Sequence, residues 1–167
     1  MELTLSAYVT DTNIWIDLHC GGLVSFVLEH FPGLCATDIV LRELKRELSA
    51  DHLIDGGVRE IELSGEQVSE LYALASAHPR LSAQDASALV AARAGGDVLI
   101  TGDGHLRKIA ESLGVEVHGS LWILEHLVEA HELDPALALG ALAAMLSGGS
   151  RFPEIEVTAL RRRLKGG

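Results

Sequence analysis

The sequence contains few cysteines and few aromatic residues. Cys20 and Cys35 are the two cysteines among 167 residues, which are too few for a disulfide framework, and no Cys/His cluster has the spacing of a zinc site. Aromatic residues make up 4% of the chain while 48% of it is hydrophobic, so its apolar residues are mainly aliphatic. This composition excludes global disorder and is expected where helices cover a buried sheet. The length suits one domain.

Membrane and phosphate-loop signals are also missing. No window of about 18 residues is apolar and free of charge, and the first residues lack the pattern of a secretory signal peptide. We therefore expect a cytoplasmic protein with no membrane partner. Neither GxxxxGK[ST] nor GxGxxG occurs, which excludes the common loops that cradle nucleotide phosphates.

The charge is strongly negative but unevenly distributed. The net charge of −11 argues against a protein that coats nucleic acid by charge alone. From Arg151 onward there are five basic and two acidic residues, a net charge of +3, which leaves −14 for residues 1 to 150. Two interpretations of this basic tail stay open: a solvated helix end, or a basic lip beside an acidic site that binds phosphate.

Strand and helix patterns alternate along the chain. Short apolar segments predict strands over residues 5–9, 34–36, 58–63, 98–101 and 115–118. Capping and apolar spacing predict helices over residues 13–18, 23–30, 39–48, 64–77, 83–94, 104–113, 120–130, 135–146 and 153–164. The helix over 39–48 would carry Val40, Leu44 and Leu48 on one face. Such alternation predicts an α/β fold with a parallel sheet covered on both faces.

Acidic residues follow the predicted strands. Asp11 comes directly after the first strand and Asp103 after the fourth, while Glu43 and Asp85 lie near predicted helix starts. Active sites of such sheets lie beyond the carboxyl ends of the strands. We therefore expect these four carboxylates to converge on one pocket.

A cluster of four carboxylates favours a metal site. Unpaired carboxylates repel each other and raise one another's pKa, and a hard divalent cation such as Mg²⁺ or Mn²⁺ removes that conflict. Such an ion lowers the pKa of water and stabilises charge on a phosphoryl oxygen, and two ions about 3.5–4 Å apart serve both the attacking and the leaving oxygen.

Structural roles are the alternative for each acid. Asp11 and Asp103 could cap the helices that follow them, and Asp85 stands three residues after Ser82, as in a capping box. Glu43 could belong to a solvated helix face, where Glu47 lies one turn further on.

The order of motifs resembles the PIN-domain family in its VapC-type toxin branch. The motifs are D-T-N at residues 11–13, V-x-x-E-L at 40–44, D-x-S-A-L at 85–89 and T-x-D-x-x-L at 101–106. The resemblance covers residues 7 to 125 and implies a three-layer α/β/α fold with a central parallel sheet and extra C-terminal helices. It implies a metal-dependent ribonuclease whose catalytic, metal-binding acids are Asp11, Glu43, Asp85 and Asp103, supported through hydrogen bonds by Asn13 and Thr101.

The resemblance also implies cofactors and partners. We expect one or two Mg²⁺ or Mn²⁺ ions; the number stays open because some relatives carry a further acid where this chain has Gly104 and His105. VapC-type toxins act as homodimers held by a small antitoxin protein, so both are expected partners. Candidate RNA-binding residues are Arg42, Lys45, Arg107 and Lys108. We expect a nuclease domain over residues 1–130 and a helical extension over 131–167 packed on it.

Two functions remain at this point. The first is a metal-dependent endoribonuclease that hydrolyses RNA phosphodiesters, either as the toxin of a toxin–antitoxin pair or outside such a pair. The second is a catalytically inactive module of the same fold that binds RNA or protein. A phosphatase with Asp11 as nucleophile is disfavoured because that chemistry generally needs a second acid two residues on, where this chain has Asn13. The apolar positions Leu137, Leu139, Leu142 and Leu146 could cover the core or form a dimer face.

Overall fold

A five-stranded sheet forms the centre of the protein in the computed structural model, which describes residues 6–44 and 48–166. The strands are β1 Tyr8–Thr10, β2 Leu34–Thr37, β3 Arg59–Ile61, β4 Val98–Ile100 and β5 Val117–His118. They lie in the order β3-β2-β1-β4-β5, and every pair is parallel. Helices cover both faces, so the predicted three-layer α/β fold is confirmed.

Ten helices connect or follow the strands in the described residues. They are α1 Thr12–Cys20, α2 Val24–His30, α3 Asp38–Glu43, α4 Ala50–Asp55, α5 Gly65–Ala77, α6 Ala83–Gly95, α7 Gly104–Ser112, α8 Ser120–Glu129, α9 Pro135–Ser147 and α10 Glu154–Lys165. In the part of the chain that the structure describes, none of them is long and apolar enough to cross a membrane.

The strand order determines where a site can form. The chain leaves β1 for β2 on one side, and β4 then pairs with β1 on the other side. Ligands bind in such sheets where the strand order reverses, beyond the carboxyl ends of the strands. Thr10 pairs with Ile100, and the Asp11 N–H donates to the Ile100 carbonyl at 3.1 Å. The first residues after β1 and β4 therefore meet at this edge.

The most buried helix, α6, crosses the sheet and contacts β1, β2 and β4. All residues from 86 to 92 are buried, as expected for a helix that is apolar on nearly every side. The Ser82 hydroxyl caps its start, and Gly96 ends it in the left-handed conformation with φ 65°. Because α6 leads into β4, its first turn lies at the carboxyl edge of the sheet.

The last two helices pack against the rest of the protein. Helix α9 contacts α1 and α8, and α10 contacts α8 and α9. Leu142 is fully buried, Leu139 and Leu146 are half-buried against the core, and Leu137 is 65% exposed. Helix α9 therefore mainly covers the core. The proposed boundary at residue 130 stays a prediction.

The helix predicted over residues 39–48 is wrong. Helix α3 ends at Glu43, and Leu44 is extended with φ −68° and ψ 133°. Leu44 and Leu48 still pack on the core, so the apolar spacing reflects burial and not one continuous helix. The short helix α4, capped by the Ser49 hydroxyl, had not been predicted. Glu43 consequently stands at the end of its helix and not near the start.

Candidate active site

Asp11 is the most buried carboxylate at the carboxyl edge of the sheet, with 1% of its surface exposed. Its Oδ1 accepts from the Ile14 N–H at 3.0 Å, so it caps α1, and its Oδ2 accepts from the Thr101 hydroxyl. Burial raises the pKa of Asp11 to about 7 from its usual 3.8, and the charges of Asp85 and Asp17 add to this increase. Desolvation outweighs the opposing hydrogen bonds.

Asp103 stands on the neighbouring strand end and is half-buried. Its Oδ1 accepts from the N–H groups of His105 and Leu106 at 2.8 and 2.9 Å, which caps α7. Its own N–H donates to Thr101 Oγ1 at 3.0 Å. Thr101 therefore connects Asp11 and Asp103 through one hydroxyl group. Within the described residues no hydrogen bond is formed at Asp103 Oδ2, so this oxygen is available to a ligand.

Asp85 interacts through its charge with the other predicted acids. Burial raises the pKa of Asp85, the charges of Asp103 and Glu43 raise it further, and hydrogen bonds from Ser82 oppose the increase. Glu43 is exposed and accepts from the Thr12 hydroxyl at 2.5 Å. The charge of Asp85 therefore reaches Asp11, and the charges of Asp103 and Glu43 reach Asp85, so Asp85 links the predicted acids.

The donor set fits a hard divalent cation in its chemistry. All four groups offer carboxylate oxygens, and two of them have raised pKa values that a nearby cation would reverse. In the described part of the chain, however, no three His, Cys, Asp or Glu side chains are grouped closely enough to hold one ion. Mg²⁺ keeps several waters and is usually bound through one or two carboxylates. Ligation partly through water is therefore compatible with the carboxylate donors and with the absence of three closely grouped side chains among the described residues.

Of the two residues expected to support the acids by hydrogen bonds, Thr101 does so and Asn13 does not in the described residues. Thr101 hydrogen-bonds to Asp11, as expected. Asn13 is exposed, and in the described residues its amide makes no hydrogen bond to any of the four acids. It lines a cavity beside Asp103 instead. His105 is half-buried, and its Nε2 is buried without a hydrogen-bond partner among the described residues.

The predicted RNA-binding residues are largely engaged within the protein. The exposed Arg42 pairs with Asp38 at 2.6 Å. Arg107 donates to the Val117 carbonyl at 3.4 Å and lies 3.9 Å from Glu111. Lys108 is exposed, and Lys45 lies outside the described residues.

The motifs do not single out Asp17 or Ser150, and Arg151 enters the sequence analysis only as the start of the basic tail. Asp17 lies near enough to Asp11 to raise its pKa, and it accepts hydrogen bonds from the Ser120 and Ser150 hydroxyls at 2.8 and 2.6 Å. Ser150 and Arg151 follow α9 and line the cavity beside Asp103. No local pattern could have identified them, because a Gly-Gly-Ser-Arg segment between two helices reads as an ordinary loop.

Comparison with known proteins agrees with the fold. A search of curated proteins found no significant match. A family model described as a PIN domain matches residues 7–165, which is nearly the whole chain. PIN domains are generally nucleases, so the match supports a nuclease-type function. The chain therefore belongs to the PIN-domain family.

Proposed function

We propose that the protein is a metal-dependent endoribonuclease that hydrolyses RNA phosphodiesters, with one or two Mg²⁺ or Mn²⁺ ions held by Asp11, Glu43, Asp85 and Asp103 directly or through waters. The observation that carries this proposal is the coupling of these acids at the strand-order reversal, where the pKa of buried Asp11 is raised to about 7. Elsewhere a buried carboxylate of this kind only costs stability, whereas at a metal site it becomes a ligand.

Each side chain has a defined task in this proposal. Thr101 orients Asp11 through its hydroxyl group, and the first turn of α7 fixes Asp103 through two backbone N–H groups. Thr12 holds Glu43 near the start of α1. A bound divalent cation would activate water for in-line attack and stabilise charge on the phosphoryl oxygens, which leaves 5′-phosphate and 3′-hydroxyl ends. Arg42, Lys45, Arg107 and Lys108 are proposed contacts to the RNA backbone.

The decisive experiment separates catalysis from helix capping. Asp103 caps α7, and Asp134 caps α9 in the same way by accepting from the Ala136 N–H at 2.8 Å. Asparagine caps helices about as well as aspartate, so both Asp→Asn variants should remain folded. The two caps differ in location. Asp134 begins the 13-residue helix α9, whereas residues that line the cavity beside Asp103 follow the other end of α9, about 20 Å along the helix.

Wild type, Asp103→Asn and Asp134→Asn are assayed on single-stranded and structured RNA with Mn²⁺. We expect the Asp103 variant to lose at least about 100-fold in cleavage rate, the size of effect that loss of a charged active-site group produces, and the Asp134 variant to match wild type. Equal cleavage by all three proteins would reject the site. Chelation of the metal should stop cleavage by wild type.

A second candidate is supported by the absence, among the described residues, of three acids grouped around one point. A module of this fold that binds RNA or protein without cutting would have no need for such a group. Calorimetric titration with Mn²⁺ discriminates the two. An inactive module should bind Mn²⁺ no better than an Asp11→Asn variant does, whereas the nuclease should bind it measurably more tightly.

The toxin role and the partners form a finer part of the proposal. The VapC-like motif set supports a homodimer that a small antitoxin inhibits. Induced expression in a bacterial host tests the toxin role: wild type should arrest growth, Asp103→Asn should not, and a small protein encoded beside this chain should relieve the arrest. Growth unaffected by wild type would favour a nuclease that acts outside a toxin pair.

A further inference from the structure

A cavity of about 350 Å³ opens beside the acidic residues. Its walls come from α1, from the segment after β4 and from the loop over residues 148–153 that joins α9 to α10. Asn13 and Asp17 line it from α1, Asp103 from the strand end, and Ser150 and Arg151 from the loop. This volume falls within the range of natural ligand pockets, at the size of a small ligand such as one nucleotide.

The loop is held in place at its beginning. The Ser150 hydroxyl donates to Asp17 Oδ1 at 2.6 Å, and the Ser150 N–H donates to the Met145 carbonyl at 3.0 Å. A Cβ atom on Gly148 would lie 2.8 Å from Cys20 Sγ, so the loop approaches α1 too closely for a side chain there. These contacts fix the backbone from which the Arg151 side chain extends.

Arg151 is the arginine that lines this cavity. Among the other described arginines, four pair with carboxylates, as Arg42–Asp38, Arg93–Glu70, Arg107–Glu111 and Arg163–Glu125, whereas Arg59, Arg80, Arg161 and Arg162 do not. Within the described residues Arg151 has no acidic partner, although Asp17 and Asp103 line the same cavity. The Asp17 oxygens already accept from Ser120 and Ser150. The guanidinium group is therefore available to an anion from outside the protein.

We propose that Arg151, together with Asn13 on the facing helix, binds a phosphate group of the substrate RNA next to the phosphate that is cleaved. This inference rests on the proposed ribonuclease function. A guanidinium group matches two phosphate oxygens at once, and a side-chain amide adds a neutral donor. Ser150 is a positioning residue, since its hydrogen bond to Asp17 holds the loop that carries Arg151.

The position of the cavity explains why RNA would enter an acidic protein here. Asp103 is shared between the cavity and the proposed metal ligands, so a phosphate at Arg151 would lie beside the reacting phosphate. Once a divalent ion offsets the charge of the acids, Arg151 makes the balance of charge in the cavity favourable for an RNA backbone. The loop over 148–153 then becomes part of the substrate-binding surface.

Binding of RNA without turnover tests this assignment. The probe is a short, fluorescently labelled single-stranded RNA of mixed sequence, and its affinity is measured by fluorescence anisotropy at several salt concentrations with Ca²⁺, which binds carboxylate oxygens but activates water less than Mg²⁺ does. Arg151→Gln should weaken binding by about ten-fold, as expected for one charge-assisted contact, and should lower the salt dependence by about one phosphate contact, a slope of about 0.7. Arg151→Lys should retain part of the affinity.

Arg93→Gln is the matched control, because Arg93 is also exposed and carries the same charge, but lies near the end of α6, which leads into the start of β4 at the opposite edge of the sheet. It should change affinity by less than about two-fold, the effect of one distant surface charge. Ser150→Ala keeps the charge of Arg151 and removes the bond to Asp17, so it should weaken binding moderately with an unchanged salt slope. Equal losses in the Arg151 and Arg93 variants, or an Arg151 variant that binds like wild type, would overturn the proposal.

Cleavage kinetics separate this proposal from the proposed function. If wild type cleaves RNA, Arg151→Gln should raise KM with little change in kcat, because the neighbouring phosphate is not the one that reacts and is held equally well before and during the reaction. If wild type binds the probe but cleaves nothing, the nuclease assignment fails, while the loss on Arg151→Gln still supports the phosphate contact. Wild type that does not bind the probe at all rejects the contact.

Discussion

Replacing Asp11 with asparagine tests the electrostatic basis of the candidate site. The folded protein holds the pKa of Asp11 at about 7, whereas the unfolded chain has the usual value of 3.8. Between these two pH values, the folded state keeps the proton and the unfolded state has released it. The free energy of unfolding therefore falls as pH rises through this range and becomes level above pH 7.

The size of the effect follows from the same two values. A pKa raised from 3.8 to about 7 corresponds to about 4 kcal/mol. That is a large share of the roughly 5–15 kcal/mol that stabilises a typical domain. Asparagine fits the same space, can still accept from the Ile14 N–H, and carries no charge at any pH. The variant should therefore lose the pH dependence and, without metal, be more stable than wild type at pH about 8.

Urea unfolding at pH about 5 and about 8 in the presence of a chelator measures this difference. Comparing wild type with Asp11→Asn at each pH removes the contributions of all other titrating groups. At pH about 8, added Mn²⁺ should restore the stability of wild type and leave the variant unchanged, because a ligand that binds only the folded state stabilises it. An equal wild-type-to-variant difference at both pH values would refute the reasoning about Asp11.

Three further predictions concern the support of the site and the core. Thr101→Val removes a hydroxyl group that lowers the pKa of Asp11, so half-maximal Mn²⁺ binding, followed by calorimetry, should move to higher pH. Leu142→Ala in the fully buried face of α9 should cost about 2–5 kcal/mol in urea unfolding, and a cost below about 1 kcal/mol would contradict the packing of α9 on the core. Trp15→Phe removes the hydrogen bond from Nε1 to Thr10 Oγ1, which measures 2.9 Å, and leaves a void; it should cost about 2 kcal/mol, measured by thermal unfolding with circular dichroism.

The accuracy of the sequence-based predictions depended on how local the signals were. Ser64 and Gln67 have the sequence spacing of a capping box, and that capping box is present at the start of α5. The break after Glu43 was not visible, because the apolar residues at 44 and 48 are buried whether or not the helix continues. Periodicity reports which residues reach the core, and a helix is only one way of placing them there.

An acid can cap a helix and also belong to the candidate metal site. Asp11 and Asp103 cap the helices that follow them, which was the structural alternative considered for each. The same residues lie at the strand-order reversal, where the two strand ends meet. A carboxylate held by backbone N–H groups is well oriented for a ligand, so the cap and the proposed metal ligand are two uses of one geometry.

The sequence by itself determined the alternation of strands and helices, the aliphatic core and the helix starts, because each depends on neighbouring residues. The tertiary structure alone decided which distant residues meet. Pairing of β1 with β4 joins Asp11 to Thr101, packing of α6 across the sheet brings Asp85 to the same edge, and Ser150 holds the loop of Arg151 to Asp17. Contacts between residues so far apart in the sequence leave no local pattern, because they form only when the strands and helices have packed in their final order.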